Sequence, residues 1–198
     1  MKQLAKLSFF ICNFSFLISL SSCSDDKEEA YPSLITELTD CSTDEKGTLS
    51  QIILDNGSTL PVTNPQTGLK TNATYRCLTG YTLEDGQATL YSLKAAALLN
   101  DSTSVAQSDP LTVVSIWRTN KYINFHLRPK TKGGQHTWGF IVESIVGRHA
   151  YIRLHHRQGS DPTAYSTDQY ASLSPSLVDA DQFTIHIQTF DGMKEWEL

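Results

Sequence analysis

The residues of this chain with the most obvious chemical capacity are its histidines, and they are concentrated in one region. Five of the six lie between residues 126 and 156, and His155 and His156 are adjacent. A zinc site needs three or four ligands that converge tetrahedrally. Adjacent residues of a strand point to opposite faces of a sheet, so this pair is poorly placed to hold one ion. We therefore expect no metal and no cofactor.

Sequence patterns of the common enzyme classes are missing from the chain. It contains no G-x-S-x-G elbow, no H-E-x-x-H motif and no glycine-rich phosphate loop. Nucleophilic catalysis by cysteine would need a histidine beside the thiol. The two cysteines that would remain as free thiols, Cys41 and Cys77, precede residue 100, whereas every histidine follows it. We expect a protein that is not an enzyme.

Two predicted strands place polar and aromatic residues on an outward face. Tyr122, Asn124, His126 and Arg128 alternate with apolar residues, and the same pattern returns after residue 150. Side chains of this kind are favoured at interfaces, and a basic strip suits an anionic glycan, a lipid head group or an acidic protein. The alternative is an exposed, soluble sheet face. The predicted strip consists of Tyr122, His126, Arg128, Tyr151, Arg153, His155 and Arg157.

Charge is distributed unevenly along the chain. Residues 23–110 carry 5 basic and 13 acidic side chains, residues 111–160 carry 8 and 1, and residues 161–198 carry 1 and 7. The basic middle could bind an anion, or the segments could neutralise one another when they pack. The second is the stronger expectation. The net charge of −8 in the first segment argues against nucleic acid as a partner.

The elements that must position these residues are predicted to be strands. Asp55-Asn56-Gly57 and Glu84-Asp85-Gly86-Gln87 each separate two extended runs and predict hairpins. Residues 94–99 have helical propensity, but their place as the return arm of a hairpin favours strand. After a small, polar linker at 100–110, further strands follow, with one short helix predicted around residues 168–173. Regular strand spacing indicates an all-β chain built from small barrels or sandwiches.

The N-terminus has the features of an exported lipoprotein. Residues 1–22 combine Lys2 and Lys6 with a short apolar run, which is typical of a signal peptide. Leu20-Ser21-Ser22-Cys23 closely resembles a bacterial lipobox, so Cys23 is the predicted lipid attachment site, with palmitate as an expected acyl group. The acidic residues 23–33 then form a flexible tether. We expect outer-membrane anchoring and cell-surface display, with the periplasmic face as the alternative.

Two cysteines remain once Cys12 leaves with the signal peptide and Cys23 carries lipid. Cys41 and Cys77 would be exported to an oxidising compartment, where two thiols can pair. The sequence does not supply the distance between them. A disulfide between Cys41 and Cys77 is therefore left open.

The order of these features is similar to that of the NigD-like lipoprotein family of Bacteroides-type bacteria. The resemblance is carried first by the lipobox and the acidic residues after it. It continues through the turn at residues 54–57 with residues 60–62, and through the hairpin over residues 75–90. Residues 109–110, 115–117 and 122–125 complete the order. It implies an N-terminal OB-like barrel, assigned to residues 34–105, and a C-terminal β-sandwich, assigned to 106–198. The founding member of the family is associated with a bacteriocin operon and immunity.

These observations lead to one main functional hypothesis. The chain is expected to be a non-enzymatic outer-membrane lipoprotein that serves as a surface or periplasmic binding module. Its partners are expected to be the membrane, through the lipid, and an unknown protein, glycan or other anionic ligand. The alternative hypothesis is a bacteriocin-type immunity lipoprotein that protects the producing cell.

Replacement of the predicted lipidated residue gives a direct test. Cys23→Ser should release the exported protein from membranes, because the thiol that accepts the diacylglycerol is lost and this lipid is the expected attachment. Fractionation with metabolic fatty-acid labelling measures both effects. A Cys12→Ser variant is the matched control and should stay lipidated. Membrane attachment of Cys23→Ser equal to wild type would contradict the lipoprotein assignment.

Overall fold

Five strands with alternating apolar residues close into a barrel in the first part of the described chain. The computed structural model describes residues 32–102 and 107–198, so the predicted signal peptide, Cys23 and most of the predicted tether lie outside the described residues. The strand order around the closed barrel is β1-β2-β3-β5-β4. The barrel strands are β1 (Ile35–Thr43), β2 (Leu49–Ile53), β3 (Thr59–Gln66), β4 (Thr74–Glu84) and β5 (Gln87–Ala95).

Both hairpins predicted in this half are present. The β4–β5 connection is Asp85-Gly86, with φ of 48° and 75°, and positive φ at both positions is the hairpin geometry that Asp-Gly favours. The β2–β3 connection passes through Gly57 at φ 90°, and the Asn56 side chain accepts a hydrogen bond from the Ser58 N–H at 2.8 Å. Local turn chemistry therefore sets the register of both hairpins.

The remaining strands form two four-stranded sheets and a small two-stranded pair. One sheet has the order β6-β13-β8-β7, the second β10-β11-β14-β15, and β12 pairs with β9. The strands are β6 (Ala97–Leu98), β7 (Thr112–Arg118), β8 (Ile123–Arg128), β9 (Lys130–Thr131), β10 (Thr137–Val146), β11 (His149–Arg157), β12 (Tyr165–Ser166), β13 (Gln169–Leu173), β14 (Gln182–Thr189) and β15 (Gly192–Glu197).

The two four-stranded sheets face each other across one apolar core. Phe125 and Leu127 of the first sheet belong to the same buried cluster as Phe140, Ile152 and Ile185 of the second. Shared burial of this kind is what makes two sheets a sandwich. The predicted fold, an all-β chain with an OB-like barrel followed by a sandwich, is confirmed.

The short helix predicted around residues 168–173 is wrong. This segment is strand β13, which pairs antiparallel with β8 and parallel with β6. Ala171 and Leu173 are buried in the sandwich core, so sheet pairing and burial outweigh the weak local preference for helix. Pro175–Leu177 forms a single 3-10 turn. The described residues contain no helix with the length and apolar character of a membrane span.

Barrel and sandwich meet at a buried arginine. Arg76 of β4 is 5% exposed, and its Nε donates to Ser172 at 3.0 Å. Its Nη1 contacts Asp40 at 3.1 Å and Asp55 at 2.7 Å. Its Nη2 donates to Asp55 at 2.8 Å and to Asn124 at 3.1 Å. Four hydrogen bonds and one further ion contact thus engage the guanidinium, on two carboxylates of the barrel and two polar side chains of the sandwich.

Residues of the β7–β8 turn complete this junction. The Arg76 guanidinium lies 4.0 Å from the centre of the Tyr122 ring, and the Tyr122 hydroxyl donates to Asp40 at 3.1 Å. Lys121 makes a second ion pair with Asp40, and Thr119 donates to Asp55 at 3.0 Å. Two cations face two carboxylates, so the charges at the junction balance.

Removal of Arg76 should destabilise the protein strongly. In Arg76→Leu, Asp40 and Asp55 lose their main counter-charge while they stay largely buried, which typically costs about 3–5 kcal/mol. Urea unfolding would measure the change in unfolding free energy. Arg148→Leu is the control, since Arg148 pairs with Asp181 while both side chains are more than 60% exposed, and exposed pairs contribute at most about 1 kcal/mol. Equal effects of the two substitutions would contradict the role of the junction.

Candidate functional site

The predicted strip does not form one surface. Its residues on β8 and those on β11 belong to different sheets of the sandwich. A strip across both strands requires that they be neighbours in one sheet. The sequence predicts the alternation of inward and outward side chains within each strand, but it does not predict which strands pair.

The β8 part of the predicted strip is covered or paired within the protein. Tyr122 is 8% exposed because the barrel packs on this face through Arg76. Further along the strand, His126 bonds to Asp168 at 2.7 Å, and Arg128 donates to the same carboxylate at 2.6 Å. The outward face of β8 therefore serves mainly as an internal contact with the barrel and with β13.

In the β11 part, Tyr151, Arg153 and Arg157 are partly exposed, whereas His155 is buried, and the charges of the two arginines are compensated. Arg153 lies 3.1 Å from Glu143, and Arg157 lies 3.5 Å from Asp109. His155 is only 2% exposed, and Tyr151 stacks on the ring of His149 at 4.7 Å. Acidic side chains therefore neutralise this half of the strip. This agrees with the expectation that the basic and acidic segments neutralise one another when they pack.

Cys41 and Cys77 are both free, buried thiols in this structure, and the disulfide that the sequence left open stays a prediction. They share one face of the adjacent strands β1 and β4, but Cys41 is paired with Tyr75, and Thr39 with Cys77. Diagonal neighbours of this kind have Cα atoms about 7–8 Å apart. Disulfides usually join Cα atoms about 4.4–6.8 Å apart, so the register opposes the bond.

A polar cleft of about 230 Å³ lies where the first residues of β10 and β13, from opposite sheets, meet the β9–β12 pair. We call it the end cleft. His136 is the one titratable residue among the eight that line it. Trp138 supplies an aromatic wall, and Gln135 and Gln169 are placed at its sides together with the threonines 131 and 167.

A chain of hydrogen bonds lies behind the end cleft. His136 bonds to Asp161 through Nε2 at 3.0 Å and to Nε2 of His156 through Nδ1 at 2.9 Å. The other nitrogen of His156, Nδ1, lies 3.0 Å from the backbone carbonyl of Asp109. Trp138 stacks on the His156 ring at 4.4 Å, which fixes both rings.

The partners in this chain determine where its protons are. A carbonyl oxygen only accepts, so Nδ1 of His156 carries a proton and donates to Asp109. Burial lowers the pKa of His156 to about 4, so its Nε2 is the unprotonated acceptor of the bond from His136. The Thr131 hydroxyl, followed by His136 and the Lys132 N–H, lowers the pKa of Asp161 to about 2. Facing a carboxylate and a lone pair, His136 donates from both nitrogens.

This arrangement limits what the end cleft can do chemically. A general base needs a free lone pair within reach of the substrate. Both nitrogens of His136 already donate to protein groups, so the ring presents its edge and face to the cleft rather than a basic nitrogen. The geometry is suited to holding a ligand and not to taking a proton from it.

The glycine-rich loop before β10 explains why Asp161 can reach His136. A Cβ on Gly134 would lie 2.6 Å from the Asp161 side chain, which is far too close for any larger residue. The Lys132 N–H also donates to Asp161 at 3.1 Å. The loop therefore closes over this carboxylate because residue 134 has no side chain.

Most residues of the end cleft were not predicted from the sequence. In the sequence His136 is one of five histidines between residues 126 and 156, and no three His, Cys, Asp or Glu side chains form a metal-binding group in the ranges that the structure describes. One signal was present: Trp138 and His156 continue the inward alternation of Phe140 and Leu154. They mark where the apolar core gives way to a polar end.

Comparisons with known proteins place the chain among solved structures. No family model matches it, and no curated protein matches it significantly. A NigD-like immunity protein from Bacteroides caccae is 25% identical, with a TM-score of 0.64, over 85% of this chain and 93% of that protein. The resemblance to NigD-like proteins that the sequence predicted is confirmed.

Two further structures share the fold of this NigD-like chain. A candidate toxin-related protein from Parabacteroides distasonis is 13% identical, with a TM-score of 0.67, over 84% of this chain and 92% of its own. A candidate lipoprotein from Bacteroides fragilis is 12% identical, with a TM-score of 0.57, over 84% and 97%. At these identities the likeness concerns the fold alone.

The buried histidine should make stability depend on pH. Below its ordinary pKa of 6.5, His156 takes up a proton in the unfolded chain but not in the folded one, where its pKa is about 4. The unfolding free energy should fall between pH 6.5 and 4, by up to about 3 kcal/mol. Urea unfolding at several pH values measures this loss.

A matched variant isolates the contribution of this residue. In His156→Gln the amide can still accept from His136 and donate to the Asp109 carbonyl, but it does not titrate. The difference in unfolding free energy between wild type and variant should shrink as the pH falls from 6.5 to 4. A difference that is constant over this interval would show that His156 is not held neutral.

Proposed function

We propose that this NigD-like chain is a non-enzymatic binding protein, and that the end cleft is its binding site. The observation that carries the proposal is the double hydrogen bonding of His136, to Asp161 at 3.0 Å and to His156 at 2.9 Å. The cleft keeps polar and aromatic groups around a fixed cavity, which is how small-ligand sites orient what they hold. His136, the titratable residue of the cleft, is hydrogen-bonded to protein groups through both of its ring nitrogens.

We further propose that the protein acts at the outer surface of the outer membrane, tethered through Cys23. The lipobox-like residues 20–23 and the acidic residues that follow support this location. The periplasmic face is the alternative.

Immunity is the second candidate function. It is favoured by the NigD-like immunity protein from Bacteroides caccae, at 25% identity over 85% of this chain. In that case the molecule held by the lipoprotein would be a toxin reaching the cell from outside, and binding without catalysis would suffice to neutralise it. The two hypotheses differ in the partner and not in the mechanism.

Site-specific photo-crosslinking on living cells tests the proposal. A photoreactive residue at Gln135, at the rim of the end cleft, should capture a partner that is recovered chemically unchanged. The same residue at Val146, which is 66% exposed at the far end of β10, is the control and should not capture it. Mass spectrometry of the adduct identifies the partner and any modification.

Each outcome separates the hypotheses. Capture of a small molecule or glycan at Gln135 alone supports the binding module. Capture there of an antibacterial protein, together with killing of cells that lack the lipoprotein, supports immunity. Cleavage or modification of the partner by the purified protein would establish an enzyme and overturn the proposal, as would equal capture at both positions.

A further inference from the structure

Three polar groups around the end cleft are not used by the protein. In the part of the chain that the structure describes, the side-chain amides of Gln135 and Gln169 and the indole N–H of Trp138 have no hydrogen-bond partner, although all three residues line the same cavity. Gln169 and Trp138 are also partly buried. None of the three is a buried atom without a partner, so water can reach them, and a ligand that bonds to them takes the place of this water.

The charge of the end cleft is balanced before any ligand arrives. Asp161, whose side chain is 4% exposed, is paired with the His136 that donates to it at 3.0 Å. It also accepts from the Thr131 hydroxyl and from the Lys132 N–H. An ionic ligand would lose its hydration without finding an uncompensated opposite charge, which is unfavourable. The site therefore favours a neutral ligand.

The size and walls of the end cleft suit one small ring. Its volume of about 230 Å³ lies below the roughly 300–1,000 Å³ of pockets for drug-sized ligands. Trp138 is held by the stacked His156 ring at 4.4 Å and packs against the sandwich core. A rigid aromatic side chain with a free N–H offers both an apolar surface and a donor.

The amides supply the complementary polar pattern. Each primary amide presents one acceptor and two donors side by side, and neighbouring hydroxyl groups of a sugar ring each donate and accept. Gln135 comes from the loop before β10 and Gln169 from the start of β13, so the two amides approach the cavity from different elements. A flat ring with hydroxyls at its edge and C–H groups on its face matches both features.

We propose that the end cleft binds a single neutral sugar residue, with its hydroxyls on the amides of Gln135 and Gln169 and its ring against Trp138. This inference rests on the proposed binding function and specifies the ligand class. A neutral sugar fits this set of unused groups because every one of them is uncharged.

Titration of the full chain carrying Cys23→Ser with defined sugars tests the inference. The probes are neutral hexoses and N-acetylhexosamines, with the matching uronic acids and inorganic phosphate as charged comparisons. Amide NMR spectra should show saturable shifts of the Gln135, Gln169 and Trp138 side-chain N–H signals with a neutral sugar, and weaker binding of its acidic counterpart.

Substitution of the amides provides the matched control. Gln169→Leu and Gln135→Leu should each weaken binding about tenfold, the effect of losing roughly 1.4 kcal/mol of hydrogen bonding. Gln182→Leu, at an exposed position at the start of β14, should bind as wild type does. Unchanged affinity in both amide variants, or a uronic acid that binds more tightly than its neutral sugar, would overturn the inference.

The failure of this inference can be told from failure of the proposed function. If photo-crosslinking at Gln135 still captures a partner specifically while no neutral sugar gives saturable shifts, the binding function stands and the sugar assignment is wrong. If neither experiment gives a signal at the end cleft, the binding function and the sugar assignment are both wrong.

Discussion

The neutralisation of Arg76 is the interaction on which the arrangement of the two halves depends. A guanidinium that is 5% exposed must have its charge balanced and its N–H groups bonded, or the cost of removing it from water is not recovered. Asp40 and Asp55 supply the balance from the barrel, and Asn124 and Ser172 supply the remaining acceptors from the sandwich. The barrel and the sandwich are therefore held in one orientation by a residue that neither half satisfies alone.

This junction also decides which surfaces are left for other molecules. The outward face of β8 would be a basic, aromatic surface in an isolated sandwich, but the barrel occupies the part around Tyr122, and Asp168 pairs with His126 and Arg128. On the other sheet Glu143 pairs with Arg153. Internal neutralisation thus removes the broad basic surface and leaves a small polar cleft at the end of the sandwich.

The same physical rule operates in the end cleft on a smaller scale. Asp161 and His136 compensate each other, and the depressed pKa of His156, caused by burial, lets it accept the second bond from His136. The cleft is consequently polar without being charged, and its uncommitted groups are amides and an indole N–H. If the proposed binding function holds, a site of this composition would discriminate by shape and hydroxyl pattern more than by charge.

The sequence alone determined the features that depend on nearby residues. Turn chemistry at Asn56-Gly57 and Asp85-Gly86 specifies both barrel hairpins, and period-two alternation specifies which side chains of β8 and β11 point outward. Tertiary structure decided everything that depends on which strands meet. It made residues 169–173 a strand, kept Cys41 and Cys77 on a diagonal, placed β8 and β11 in different sheets, and brought His136 to Asp161. Such contacts join residues far apart in the chain, and local patterns carry no information on their partners.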